Sequence, residues 1–403
     1  MCCLAIFSIV FSKFLLTLSM ILLLFSSVFD FSFENKFYFK TGDYFKQNWK
    51  NIWQNKAFLV LTLLFFSVAI SGFWSDDLSY WNDRLRIRLP FLVLPLAFAW
   101  LPQMPKKDYF TCFYFLLLIL SISMVGVLIN YVLDYERINE TLLHGKNIPV
   151  PMNHIRFSLL LAFSIVNGVI LYSENFYVKY VWEKKLIAVL TIFLFLSIHI
   201  LTVRSGLASL YIAIGILGLR YILLTKRYLL SIALGVFLIA TPSLAYYFVP
   251  SVQNKIHYAI YDLQQFNSGK GSNYSDSERL GSILAGLKVG NENPILGCGY
   301  GDLDRDVNVA YREVFPQEKE PKIPHNQYIM TYAGLGITGL LVFIFAIFFP
   351  VFYKKNYKDA IFLGLNVIVI FSFLVEATIE TQAGTALYCL FLCIGIGRKD
   401  GMD

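Results

Sequence analysis

The chain has 403 residues, 57% of them apolar and only 15% charged, against roughly 25% charged in an ordinary soluble domain. That balance excludes a soluble enzyme and points to a membrane protein. Lys and Arg total 34 against 27 Asp and Glu, a formal charge of +7, but the excess is scattered over short segments between apolar runs, so it is a topology signal and not a nucleic-acid surface.

In chain order, apolar segments bounded by charge, Pro or Gly fall at about 3–29, 57–74, 88–101, 109–133, 157–173, 185–203, 206–224, 229–249, 328–352, 359–375 and 383–397. They predict an all-α polytopic membrane protein of about eleven transmembrane helices, ten to twelve allowing for boundaries, in a single transmembrane domain over residues 1–403. The first run is too long for a signal peptide and lacks a small-residue cleavage site, so it reads as a retained helix, charge-free except for Lys13. The weakest is 88–101, where Pro90 and Pro95 predict a broken or tilted helix. Cys2, Cys3, Cys112, Cys389 and Cys393 lie in or beside apolar segments and Cys298 in a polar one, with neither a disulfide framework nor zinc spacing.

Alternate short loops carry eighteen and seven Lys/Arg, which assigns the richer set to the cytoplasm. The long segment 250–327, with eight basic and ten acidic residues, is then outside, and with eleven spans so is the N-terminus. Within it Val252, Ile256, Ile260, Leu263 and Phe266 recur at helical spacing, as in an amphipathic helix on the membrane face. A polar stretch from Asn267 to Ser275 interrupts it, and a second helix is predicted from about Ser277, as N-cap, to Val289. Residues 250–327 therefore read as a helical loop subdomain inserted in the transmembrane domain.

An ionisable residue beside a span is a candidate site. Arg204, in VRSG between two spans, is either a snorkelling arginine or a fixed cation whose guanidinium fork matches phosphate. His325, in PHNQY after Pro321 and Pro324, is held at the outer boundary, either as a general base or as an inert surface histidine. Asn326 and Tyr328 either orient it or act as helix cap and interfacial anchor. Arg279, in SDSERL, is a helix-surface arginine or a ligand residue. Glu376 and Glu380, four apart in VEATIETQAG, share a helical face as a solvated rim, or orient a base or bind acceptor hydroxyls. Arg84, Arg86 and Arg88 add to an exterior anion-binding face, whereas His144, His154 and Arg156 read as solvated loop residues. In NPILGCGYGD the alternate glycines imply a tight backbone turn, since no strand precedes and no Lys-Ser/Thr follows.

The order of these motifs, VRSG, then SERL and NPILGCGYGD, then PHNQYIMTYAGLGITGLLVF, then VEATIETQAG, resembles the O-antigen ligase/polymerase family of bacterial membrane glycosyltransferases over roughly residues 57–397. The resemblance implies a lipid-carrier-dependent glycosyltransferase fold, commonly of about twelve spans, in the bacterial inner membrane with its active site facing the periplasm. It implies transfer of glycan from undecaprenyl diphosphate to a hydroxyl acceptor such as lipid A core, in lipopolysaccharide or surface polysaccharide biosynthesis. By motif match Arg204 and Arg279 take the diphosphate-contacting roles and His325 that of the essential histidine; Gln327 departs from the smaller or apolar residues common there. No DxD-type carboxylate pair or metal cluster is visible, so a direct, inverting displacement without metal or other cofactor is expected. A polymerase joining repeat units would use the same donor with another glycan as acceptor. A solute or lipid transporter, the other class, would place ionisable residues or broken helices near the midplane.

Overall fold

The computed structural model describes residues 1–32, 38–143, 146–267, 275–314 and 321–399; His144 lies outside them. Each predicted apolar run is helical, but the first is not one helix. It forms α1 (Cys2–Phe11) and α2 (Lys13–Val28), separated by Ser12 in an extended conformation, with the Ser12 hydroxyl capping α2. The two pack on each other as a hairpin: Cys2 and Cys3 lie beside Cys112, whereas Thr17 accepts a 2.6 Å hydrogen bond from Gln382 at the other end of the bundle. The expectation of one spanning helix over 3–29 is corrected by this break. The lone charge, Lys13, sits at the break, where an exposed ammonium avoids the hydrocarbon interior.

A further departure from the all-α expectation follows. Strands β1 (Phe29–Ser32) and β2 (Tyr38–Thr41) pair antiparallel, Phe29 opposite Thr41. Short helices α3 (Asp43–Asn48) and α4 (Asn51–Gln54) lead on, with Trp49 and Trp53 exposed as interfacial anchors.

The next helices are α5 (Lys56–Ser71), α6 (Leu78–Arg88), α7 (Pro90–Trp100), α8 (Lys106–Leu133) and α9 (Tyr135–Leu143). Pro90 at the first position of α7 and Pro95 inside it leave a helix of 11 residues, about 16 Å at 1.5 Å per residue and too short to cross alone. After these come α10 (His154–Ser173), α11 (Glu183–Leu201), α12 (Arg204–Thr225) and α13 (Leu230–Phe248). The long segment holds α14 (Pro250–Asn267), α15 (Ser275–Glu292) and α16 (Leu303–Val314), and α17 (Gln327–Phe352), α18 (Ala360–Val375) and α19 (Gln382–Ile396) close the chain. Among the described residues six helices are long and apolar enough to span a bilayer: α8, α10, α11, α12, α13 and α17. Shorter apolar helices accompany them, and α10 lies at the centre, packed against α8, α11, α12 and α18.

In the long segment α15 begins two residues before the expected cap. Ser277, inside the helix, donates instead to the buried Asp262 carboxylate at 3.0 Å, tying α15 to α14. Helix α16, not anticipated, buries Leu303, Val307, Ala310 and Tyr311 along one stripe.

The glycine-rich motif between α15 and α16 is a turn, and its partner is a break in α17. Gly336 departs from helical geometry (φ 63°, ψ −165°), which frees carbonyls for outside donors. The Cys298 and Gly299 amides donate to the Ala333 and Gly334 carbonyls, both at 3.0 Å, and Ile337 N–H returns a bond of 2.8 Å to the Pro294 carbonyl. At Gly297 (φ +72°) a Cβ would stand 2.4 Å from the backbone of Gly334 and Leu335, so only glycine permits this approach. The motif ends at buried Asp302, whose carboxylate accepts from the Asp76 and Asp77 amides at 2.9 and 3.2 Å and anchors the turn to the start of α6.

Candidate functional site

His325 lies where the approach to α17 meets α15 and the end of α18. Its backbone N–H donates to Ser282 Oγ at 3.2 Å, and the same hydroxyl donates to the Arg279 carbonyl at 2.7 Å, so one serine holds the histidine backbone over the Arg279 turn. The ring Nδ1 stands 3.1 Å from Glu376 Oε2. Burial pushes the Glu376 carboxyl up, but the hydrogen bond from His325 and the positive charges of His325, Arg156 and Arg279 outweigh it and hold the acid below its usual range. Facing an ionised carboxylate, Nδ1 carries a proton, and Nε2 is the ring nitrogen left for a substrate.

The two acids do not share a helical face. Helix α18 ends at Val375, Glu376 is extended (φ −158°, ψ 146°), and Glu380 closes a 3₁₀ turn, Thr378–Glu380. Both are buried, so neither is a solvated rim: Glu376 turns to His325, and Glu380 turns inward to a second network. There Glu380 Oε1 accepts from Arg88 Nη2, from Tyr300 OH at 3.1 Å and from Gln327 Nε2 at 2.7 Å. Arg88 also donates to Tyr300 OH at 3.0 Å, and Arg84 donates to the Glu380 carbonyl at 3.3 Å while covering the Tyr80 ring. Arg88 is 3% exposed, so it serves this ion pair rather than an open anion-binding face; Arg86 is exposed and pairs with Asp83 at 3.5 Å.

Asn326 is the cap of α17, its Oδ1 accepting from the Tyr328 and Ile329 amides at 2.9 and 3.1 Å, while its Nδ2 donates to the Leu374 carbonyl at 3.0 Å. Tyr328 packs edge-on to Phe343 and Phe373 and its hydroxyl reaches the Ile370 carbonyl at 3.4 Å, which makes it a link between α17 and α18.

The cations come from separate elements. Arg279 on α15 and Arg156 on α10 act electrostatically on Glu376. Arg156 is buried and donates to the Ala377 and Thr378 carbonyls, both at 3.4 Å, and His154 is within electrostatic reach of Lys255, Arg279, Glu376 and Arg156. Reading His154 and Arg156 as solvated loop residues is thereby corrected: they open a helix in the middle of the bundle, under the 376–380 turn. Arg204, exposed at the start of α12, lines a cavity of about 510 Å³ with Lys255, Thr202, His199 and Tyr211. Val252, Ile256 and Ile260 form part of its apolar wall, so that face of α14 borders a cavity. Lys255, which lines the cavity and acts electrostatically on His154, joins the two regions.

Among curated proteins none matches the chain. Residues 187–344, from the first turn of α11 to the middle of α17, match the family model described as O-antigen ligase. The matched segment carries Arg204, Arg279, His325, Asn326 and Tyr328, and leaves Arg84, Arg88, Glu376 and Glu380 outside it. Over this segment the chain, a multi-pass membrane protein, is similar to the O-antigen ligase family.

Proposed function

We propose that the protein transfers an O-antigen or similar glycan from undecaprenyl diphosphate to a hydroxyl of lipid A core, at the periplasmic face of the bacterial inner membrane. The observation that carries this reading is the His325–Glu376 pair at 3.1 Å, set among Arg279, Arg156 and Lys255 at the end of the bundle capped by α14 to α16. A sugar on a diphosphate is already activated. The reaction then needs a base for the incoming hydroxyl and cations for the departing group. His325 Nε2 takes the hydroxyl proton, the oxygen attacks the anomeric carbon, and the bond to the diphosphate breaks in one displacement, inverting that carbon. Arg279 and Arg204 hold the diphosphate, and the apolar cavity beside Arg204 receives the start of the polyprenyl chain. The displacement as proposed uses no metal. The whole chain is one transmembrane domain carrying residues 250–327 as its periplasmic subdomain.

Purified protein in lipid, given carrier-linked glycan and lipid A core in the presence of chelator, should form the ligated product. Extension of the carrier-linked glycan instead would make the protein a polymerase, and activity restored only by added divalent cation would end the metal-free reading. Reporter fusions at Ser272 and Lys355 should give opposite compartment signals; matching signals would sink the topology.

The arginines give a further expected result. Lysine retains the charge and loses the bidentate fork, so Arg204→Lys and Arg279→Lys should lose nearly as much transfer as the alanine variants. Wild-type rates in both lysine variants would reduce these residues to generic cations.

A further inference from the structure

We infer that Gln327 is a positioning residue that, together with Asn326, clamps the backbone on both sides of Glu376 and so fixes the His325–Glu376 pair; the inference rests on His325 being the base. Residues 325 and 376 come from separate elements, 51 positions apart, and a single 3.1 Å contact does not by itself set a ring orientation. The two residues following the histidine supply the missing constraints. Asn326 Nδ2 bonds the Leu374 carbonyl, two residues before Glu376. Gln327 Oε1 accepts from Ile379 N–H at 3.1 Å, three residues after it, and Gln327 Nε2 donates to Glu380 Oε1 at 2.7 Å. Glu376 is therefore held from both flanks by side chains adjacent in sequence to its partner.

Gln327 is 0% exposed, and both ends of its amide are used. Its anchor is rigid as well, because the Glu380 oxygen that it meets is also bonded by Arg88 from α6 and Tyr300 from the glycine-rich turn. An apolar residue at this position would fill the space and leave the Ile379 amide and one Glu380 bond unmet. The 376–380 turn would then be free to shift relative to the histidine, and a misplacement of about 1 Å at a reacting group costs on the order of 10²-fold in rate.

The test compares Gln327→Met, close in volume but without the amide, with wild type and with His325→Ala in the transfer assay. Gln327→Met should lower kcat about 10- to 100-fold with donor KM unchanged. In the His325→Ala background it should cost nothing further, because it acts only through the histidine. The variant Asn326→Asp keeps the oxygen that caps α17 and loses only the donor to the Leu374 carbonyl, so it should also lower kcat with donor KM unchanged, even where Gln327→Met folds poorly. An active His325→Ala would overturn the base reading itself. An inactive His325→Ala beside a Gln327→Met of wild-type kcat, a full additional loss in the double variant, or an Asn326→Asp of wild-type kcat would overturn the clamp while leaving the base in place.

Discussion

His325→Ala should insert and fold as wild type, bind the carrier-linked donor with unchanged affinity, and fall by about 10² to 10⁴-fold in transfer. The separation of binding from rate follows from the geometry. The ring is bonded to Glu376 on one side and to no described protein group at Nε2, whereas the cations proposed to hold the diphosphate come from α12 and α15. Removing the ring leaves Glu376 among Arg156 and Arg279, so no charge is stranded. Single-turnover transfer measured beside donor binding separates the two quantities. A folded variant transferring at the wild-type rate would remove the imidazole from the mechanism and leave activation of the hydroxyl to Glu376 or to the leaving diphosphate.

The largest effect on folding is expected at Gly297. A methyl group there would meet the Gly334 and Leu335 backbone at 2.4 Å and would require an L residue at φ +72°. Backbone cannot swing aside as a flexible side chain does, and these atoms are fixed by the Cys298 and Gly299 bonds to α17. Strain and overpacking together should cost Gly297→Ala about 2–6 kcal/mol. The control is Gly126 in α8, where a Cβ meets nothing within 4 Å, so Gly126→Ala should be neutral or slightly stabilising. Thermal unfolding of the two variants in the same lipid checks the contrast, and equal midpoints would mean that the turn does not need glycine.

What the sequence made legible was local. Runs of apolar residues located the helices, and the glycines of NPILGCGYGD marked a turn because Gly297 and Gly299 both adopt positive φ. Some local signals were present but passed over. Lys13 after Ser12 marked the hairpin between α1 and α2, alternating aromatics in FDFS and YFKT marked β1 and β2, and the spacing of Leu303, Val307, Ala310 and Tyr311 marked α16. The site was legible only in part, because its contacts are long-range. Arg88 meets Glu380 across 292 positions and Arg156 meets Thr378 across 222. Whether an arginine at a helix start faces solvent or the underside of another turn is decided by packing, which no local pattern in VPMNHIRF encodes. The same holds for the two glutamates, whose four-residue spacing suggested one helical face until α18 ended at Val375.

The short helices around the site bear on the lipid itself. α5 and α18 have 16 residues each and α19 has 15, and α17 runs only from Ile337 to Phe352 beyond its break at Gly336. Each of these is about 24 Å long or slightly less, against about 30 Å of hydrocarbon in a typical bilayer. Helix α8, by contrast, has 28 residues, about 42 Å. Of the short helices, α19 is buried from Gly384 to Ile396, so its length is matched to neighbouring helices, whereas α5 exposes Phe66 and Ile70 and α17 exposes Ile337, Leu341 and Phe345. Lipid against those faces has to thin, or polar side chains at the helix ends have to reach outward, to match so short a span.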